Sequence, residues 1–130
     1  MSTLSVGTIK SASSAAPVFQ NSSGTEKGQL AKVWVNFDGS GSERDDFNVS
    51  SVTDNGTGDY TVNFSNAMAN ANYSAVGMAM RDSTNTLTLL IRGDSTYGNS
   101  FTTGSVRLNT RENSNSLVDC KAACLAIFGD

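Results

Sequence analysis

Residues 47–64 read FNVSSVTDNGTGDYTVNF, two short runs of alternating apolar side chains around a knot of Asp, Asn and Gly. The centre, DNGTGD, invites comparison with a calcium loop, which runs D-x-[DN]-x-[DN]-G and closes on a Glu twelve positions from its first Asp. Here Gly56 and Gly58 stand where oxygen-bearing side chains are needed, and Ser65 occupies the closing position. The ligand pattern fails. What remains is a pair of glycines, free to take positive φ, between two strand-like runs, which is the signature of a β-hairpin. Phe47, Val49 and Ser51 are expected to share one face of it with Tyr60, Val62 and Phe64.

The same period of two runs outward from the hairpin. KVWVNF (32–37), YSAVGMAM (73–80), TLTLLIR (86–92), FTTGSVRL (101–108) and CKAACLAIF (120–128) alternate in the same way, with Gly, Asn, Asp and Ser clusters between them. No stretch keeps a helical period over three turns. The pattern predicts an all-β chain, a single antiparallel β-sandwich or jelly-roll-like domain over 30–130. Residues 1–29 hold too few apolar side chains for a core of their own. With the lone Pro17 inside SASSAAPVF, they read as an extended N-terminal arm used for docking or oligomerisation.

Several strands are apolar on both faces, more than a sheet with one solvated face requires. Val33 and Val35 oppose Trp34; Leu125 and Ile127 oppose Cys124, Ala126 and Phe128; Val76, Met78 and Met80 oppose Ala75, Gly77 and Ala79. One face enters the core, and the other is available to a neighbouring subunit, the arm or the domain's own loops. Small side chains permit close approach of another layer, so Trp34, Ala75, Gly77 and Ala79 are the expected oligomer contacts.

Composition narrows the chemistry. Of 130 residues, 45 are Ser, Thr or Asn, and only 16% are charged, so the surface is covered by hydroxyls and amides. The net charge of -3 and pI near 4.7, with nine scattered basic residues, argue against nucleic-acid binding. No apolar run approaches the ~18 residues of a membrane helix, and MSTLSVGTIK lacks the head and core of a secretion signal. Cys120 and Cys124 would lie about 13 Å apart along a strand, beyond disulfide reach, and two thiols do not fill a zinc site. They read as small, partly buried side chains.

Catalytic patterns are absent as well. There is no histidine, hence no usual general base or triad, and no nucleophile elbow or phosphate-binding loop. Asp38, Glu43, Asp45 and Asp46 in DGSGSERDD (38–46) form an acidic stretch whose Gly and Ser favour a solvated loop over a metal site. We therefore expect no enzyme, no cofactor and no metal. Arg81, Arg92 and Arg107 end or interrupt strands, where they pair with neighbours such as Asp82 and Asp94 or grip acidic sugars. Residues 93–100 are the expected recognition loop, with Tyr97 for stacking on a sugar and Arg92 and Asp94 beside it.

Several longer segments together carry a resemblance: GTIKSASSAAPVFQNSSGTEKGQLAKVWVNFDGSGS, FNVSSVTDNGTGDYTVNF, NANYSAVG, SVRLNT and the closing AIFGD. In this order they resemble a family of tail-fibre-like virion proteins from marine and cyanobacterial tailed bacteriophages. The resemblance implies a β-rich, surface-exposed structural module, commonly homotrimeric and without enzymatic activity. It leads us to expect a virion protein, a short tail-fibre or receptor-binding tip contacting other tail or capsid proteins and host surface glycan. The alternatives are a capsid decoration or cement protein and a soluble carbohydrate-binding module.

Overall fold

The computed structural model describes residues 5–9, 19–81, 87–91 and 100–129. Contacts divide the chain into two units, Met1–Leu30 and Ala31–Asp130. In the first, β1 (Phe19–Gln20) pairs antiparallel with β2 (Glu26–Gly28). The Asn21 carboxamide oxygen accepts from the Ser23 and Thr25 amides, closing a turn in which Gly24 takes φ 78°. Phe19 and Leu30 stand about half exposed, so this hairpin has no interior.

The second unit is all-β: among the described residues there is no helix, and two antiparallel sheets of four strands form a β-sandwich. The first sheet has the order β4-β3-β10-β7, from β3 (Val33–Phe37), β4 (Glu43–Phe47), β7 (Ser74–Met80) and β10 (Ala122–Phe128). The second has the order β5-β6-β9-β8, from β5 (Val49–Gly56), β6 (Asp59–Phe64), β8 (Leu87–Ile91) and β9 (Ser105–Glu112). Alternation decides which side chains meet between the sheets. Val33, Val35 and Phe37 face inward from β3, Leu125 and Ile127 from β10, Tyr60 and Val62 from β6, and Val106 and Leu108 from β9, all essentially without solvent contact. Phe37 and Tyr60 meet edge-on with ring centres 5.2 Å apart. Burying side chains of this size contributes about 1.5–3 kcal/mol each, the main force holding the layers together.

The hairpin of residues 47–64 is present, shorter than its sequence suggests. β5 and β6 pair through a turn at Thr57 and Gly58, with Gly56 at φ 123° and Gly58 at φ 63°. A Cβ on Gly58 would lie 2.7–2.8 Å from backbone atoms of Thr110 and Val118, so no larger residue fits there. Asp119 ties the turn down: its Oδ1 accepts from the Gly58 amide at 2.8 Å and from the Tyr60 hydroxyl at 3.2 Å. Burial raises the pKa of the Tyr60 phenol, strongly, and of the neighbouring Cys120 thiol above their ordinary values.

Three expectations need correction. Phe47 does not join the hairpin face: Asn48, at φ 61°, turns the chain from one sheet to the other, and Phe47 ends β4 opposite Trp34. Register shifts between Val49 and Ser51 then bring Val49 and Val52 inward, while Ser51 pairs with Asn63 on the outside. The acidic stretch is not one loop. Asp38 accepts from the Ser40 hydroxyl at 2.7 Å and the Ser40 amide at 2.9 Å, closing a turn, and residues 43–47 are an edge strand. Charged side chains suit an edge because they discourage pairing with another sheet.

Candidate functional site

The outward sides of the two sheets differ in kind. On the second sheet, outward side chains of β5 and β6 bond to one another: Asn63 Nδ2 donates to Ser51 Oγ and Thr53 Oγ1, each at 3.0 Å, and Asn55 Nδ2 donates to Thr61 Oγ1 at 2.9 Å, while Leu90 on β8 is the one large apolar side chain exposed among the described residues of that sheet. Arg107 meets Asp59 through two bonds of 2.9 Å. On the first sheet, register places Phe47, Trp34, Ala126 and Val76 in one row across all four strands. Cys124 and Met78 are paired in the next row and Ala122 and Met80 in the one after, while Phe128 continues the face along β10.

This face is open to solvent. Met78 is 78% exposed and Phe47 54%, with Val76 and Met80 near half. Monomeric proteins seldom leave contiguous apolar surface of this extent uncovered, and where they do it marks an interaction site. Its relief is uneven. The β10 side chains Ala122, Cys124 and Ala126 are short, and the flanking strands carry Trp34 on one side and Val76, Met78 and Met80 on the other. A shallow groove results, lined by Val76, Gly77, Met78, Cys124, Leu125 and Ala126. Arg44 closes one end of the face, donating to Asn36 Oδ1 at 3.1 Å and to the Lys121 carbonyl at 2.8 Å.

Of the residues expected at an oligomer contact, Trp34 lies on this face. Ala75, Gly77 and Ala79 do not; they point at the second sheet. Ala75 and Ala79 pack against the core, and a Cβ on Gly77 would strike the Cys124 carbonyl and stand 2.7 Å from Leu89 Cδ2. The close layer that these small residues admit is the domain's own second sheet. The large stripe of β7 faces out instead; Val76, Met78, Met80 and Phe128 are the residues sequence reasoning left unassigned, and Phe47 the one it had placed on the hairpin.

The cysteines are both free, Cys120 buried and Cys124 exposed, so only the first matches the expected partial shelter. Arg81 pairs with Glu112 and Arg107 with Asp59, ion pairs of the kind expected, while the two carboxylates named for them, Asp82 and Asp94, lie outside the described residues. Arg92, Tyr97 and residues 93–99 of the expected loop also lie outside the described residues; Ser100, at its end, is buried and its carbonyl accepts from the Arg107 amide at 2.9 Å. Among the described residues no three His, Cys, Asp or Glu side chains gather as metal ligands. Hydrogen bonds from Ser40 and Ser42 hold the Asp38 carboxyl below its usual range.

No family model matches the chain, and no curated protein matches it. Among solved structures, the chain is similar to the phiAB6 tailspike, crystallised in complex with three-repeated oligosaccharides of Acinetobacter baumannii surface polysaccharide. Identity is 18% and the TM-score 0.51, with 96% of this chain and 30% of that chain aligned. At that identity the likeness is one of fold. The chain spans under a third of the tailspike chain's length.

Proposed function

We propose that this chain is a bacteriophage virion structural protein, a short tail-fibre or receptor-binding tip module that assembles as a homotrimer. The observation that carries the reading is the open apolar face of the first sheet, which suits a domain that works inside an assembly. Two further points narrow the kind of assembly: the resemblance of the hairpin and its flanking segments to tail-fibre-like proteins, and the fold shared with a tailspike. The module binds and positions, and it carries out no reaction. Electron microscopy of purified particles, with an antibody against this chain, tests the reading. We expect label on the tail; label confined to the head transfers the protein to the capsid-decoration alternative, and particles without label remove the virion role.

A second reading has one observation in its favour. The tailspike sharing the fold was crystallised with surface-polysaccharide oligosaccharides. In this chain the sugar-contacting candidates are Tyr97, Arg92 and Asp94. Titration with host surface polysaccharide is expected to show binding that Tyr97→Ala weakens about tenfold, the loss of one aromatic stacking contact. Unchanged affinity in that variant places any sugar site elsewhere.

A further inference from the structure

We propose that Asn55 is a site of spontaneous deamidation, at which the Gly56 amide nitrogen closes a ring on the Asn55 side chain while Asp54 takes up its proton. The chemistry is independent of how the chain assembles. Asn55-Gly56 is the one Asn-Gly step in the sequence, and residues 54–57 are all exposed. The step also sits at a break in the ladder. Asp54 faces Tyr60 and Gly56 faces Asp59, so three residues of β5 oppose two of β6, and Asn55 is the extra one, outside the register. The pairing that would hold its backbone extended is missing there.

The surroundings of the attacking nitrogen favour the closure. A Cβ on Gly56 would meet nothing within 4 Å, and φ there is 123°, so the backbone has both the space and the freedom to turn toward the side chain. Asp38-Gly39, which could close the same ring by losing water, is the contrast. A Cβ on Gly39 would strike the Cys120 carbonyl, and Asp38 Oδ1 is already engaged by the Ser40 hydroxyl and the Ser40 and Ser42 amides. At Gly56 the amide hydrogen is instead directed at Asp54 Oδ1, 2.8 Å from the nitrogen. A carboxylate so placed accepts the proton as the nitrogen attacks.

In the first step the Gly56 nitrogen bonds to Asn55 Cγ, the Cγ–Nδ2 bond breaks, and ammonia leaves with the proton that Asp54 relays. Water then opens the ring at either carbonyl, leaving aspartate or isoaspartate at position 55. Nothing besides water is consumed. The Asn55 amide now reaches Thr61 Oγ1 at 2.9 Å and Asp59 Oδ1 at 3.5 Å. A carboxylate in its place stands against Asp59, the partner of Arg107, so the tip of the hairpin gains a negative charge beside two that it already carries. The age of a chain is thereby recorded on the polar face.

The full chain is kept in warm, mildly alkaline buffer, digested at intervals and mapped by mass spectrometry, with an isoaspartate-specific methyltransferase as a second readout. We expect the mass gain of an amide-to-acid exchange at residue 55, with isoaspartate among the products, at least ~10-fold faster than at Asn21, Asn113 and Asn115, whose following Ser carries a Cβ beside the attacking nitrogen. Asp54→Asn keeps the size of the side chain and is expected to slow the conversion at least ~3-fold with an unchanged circular dichroism spectrum. Equal rates at all these sites, or loss of the amide at 55 without isoaspartate, overturn the ring closure. A rate that Asp54→Asn leaves unchanged or raises overturns the assisted route.

Discussion

The two outward faces of the sandwich rest on the same interior, and each belongs to a sheet of four antiparallel strands. They part in how they meet solvent. The second sheet closes on itself, with Asn63 reaching Ser51 and Thr53 and Arg107 gripping Asp59. The first leaves half or more of Phe47, Val76, Met78 and Met80 in water, and those exposed parts contribute nothing to the folding of a lone copy. A polar face can satisfy its own groups by cross-strand bonds; an apolar face is satisfied only by being covered. The difference separates residues that stabilise the domain from residues held in reserve for a contact.

The contrast breaks most severely if the shared interior is damaged. Ile127→Ala, on the inward side of the strand that carries Cys124 outward, is expected to cost about 3–4 kcal/mol in chemical denaturation, because it leaves a cavity between the sheets. Alkaline pH attacks the same interior at one end. The folded state holds the Cys120 and Tyr60 protons more tightly than the unfolded chain, whose ordinary values are 9.0 and 10.0. This contribution is complete below about pH 9 and is lost as pH climbs through the raised folded values. Melting temperature is therefore expected to fall steadily above pH 9, and a flat profile to pH 11 refutes the assignment.

Substitutions on the faces themselves sharpen the comparison. Asn63→Ala removes two cross-strand bonds from the polar face and is expected to cost about 1 kcal/mol, measured by denaturation below the concentration at which copies associate. Met78→Thr, on the apolar face, is expected to change stability under those conditions by less than about 0.5 kcal/mol. Equal losses from the two would mean that the faces do not divide the work as described.

Much of this fold is legible in the sequence because inward residues obey a strict period of two. VWV, DYTVNF and CLAIF each read correctly as to which side chains lie together, and the glycines of DNGTGD mark their turn. ERDDF was hidden because an edge strand with charged side chains looks like a loop. The bend at Asn48 was hidden because one residue at positive φ leaves no trace in a hydrophobic pattern, and it carried Phe47 to the wrong sheet in our reading. β7 shows the limit most clearly. Both its stripes are apolar, so alternation separates Ala75, Gly77 and Ala79 from Val76, Met78 and Met80 without saying which set faces out. The answer lies in Leu89, which occupies the space that a side chain on Gly77 would need, and that contact is made only after the sheets have stacked.

The first and last strands of the sandwich, β3 and β10, lie side by side in the middle of one sheet, with Val33 opposite Ile127 and the Lys32 amide bonded to the Ile127 carbonyl at 2.8 Å. The polypeptide thus comes in and goes out through a single doorway. A unit built that way can be spliced into the loop of a larger host protein without stretching either, and it can be lifted out again with its ends already neighbours. Such portability makes the domain a cassette, suited to shuffling between longer chains and to carrying engineered cargo on either terminus.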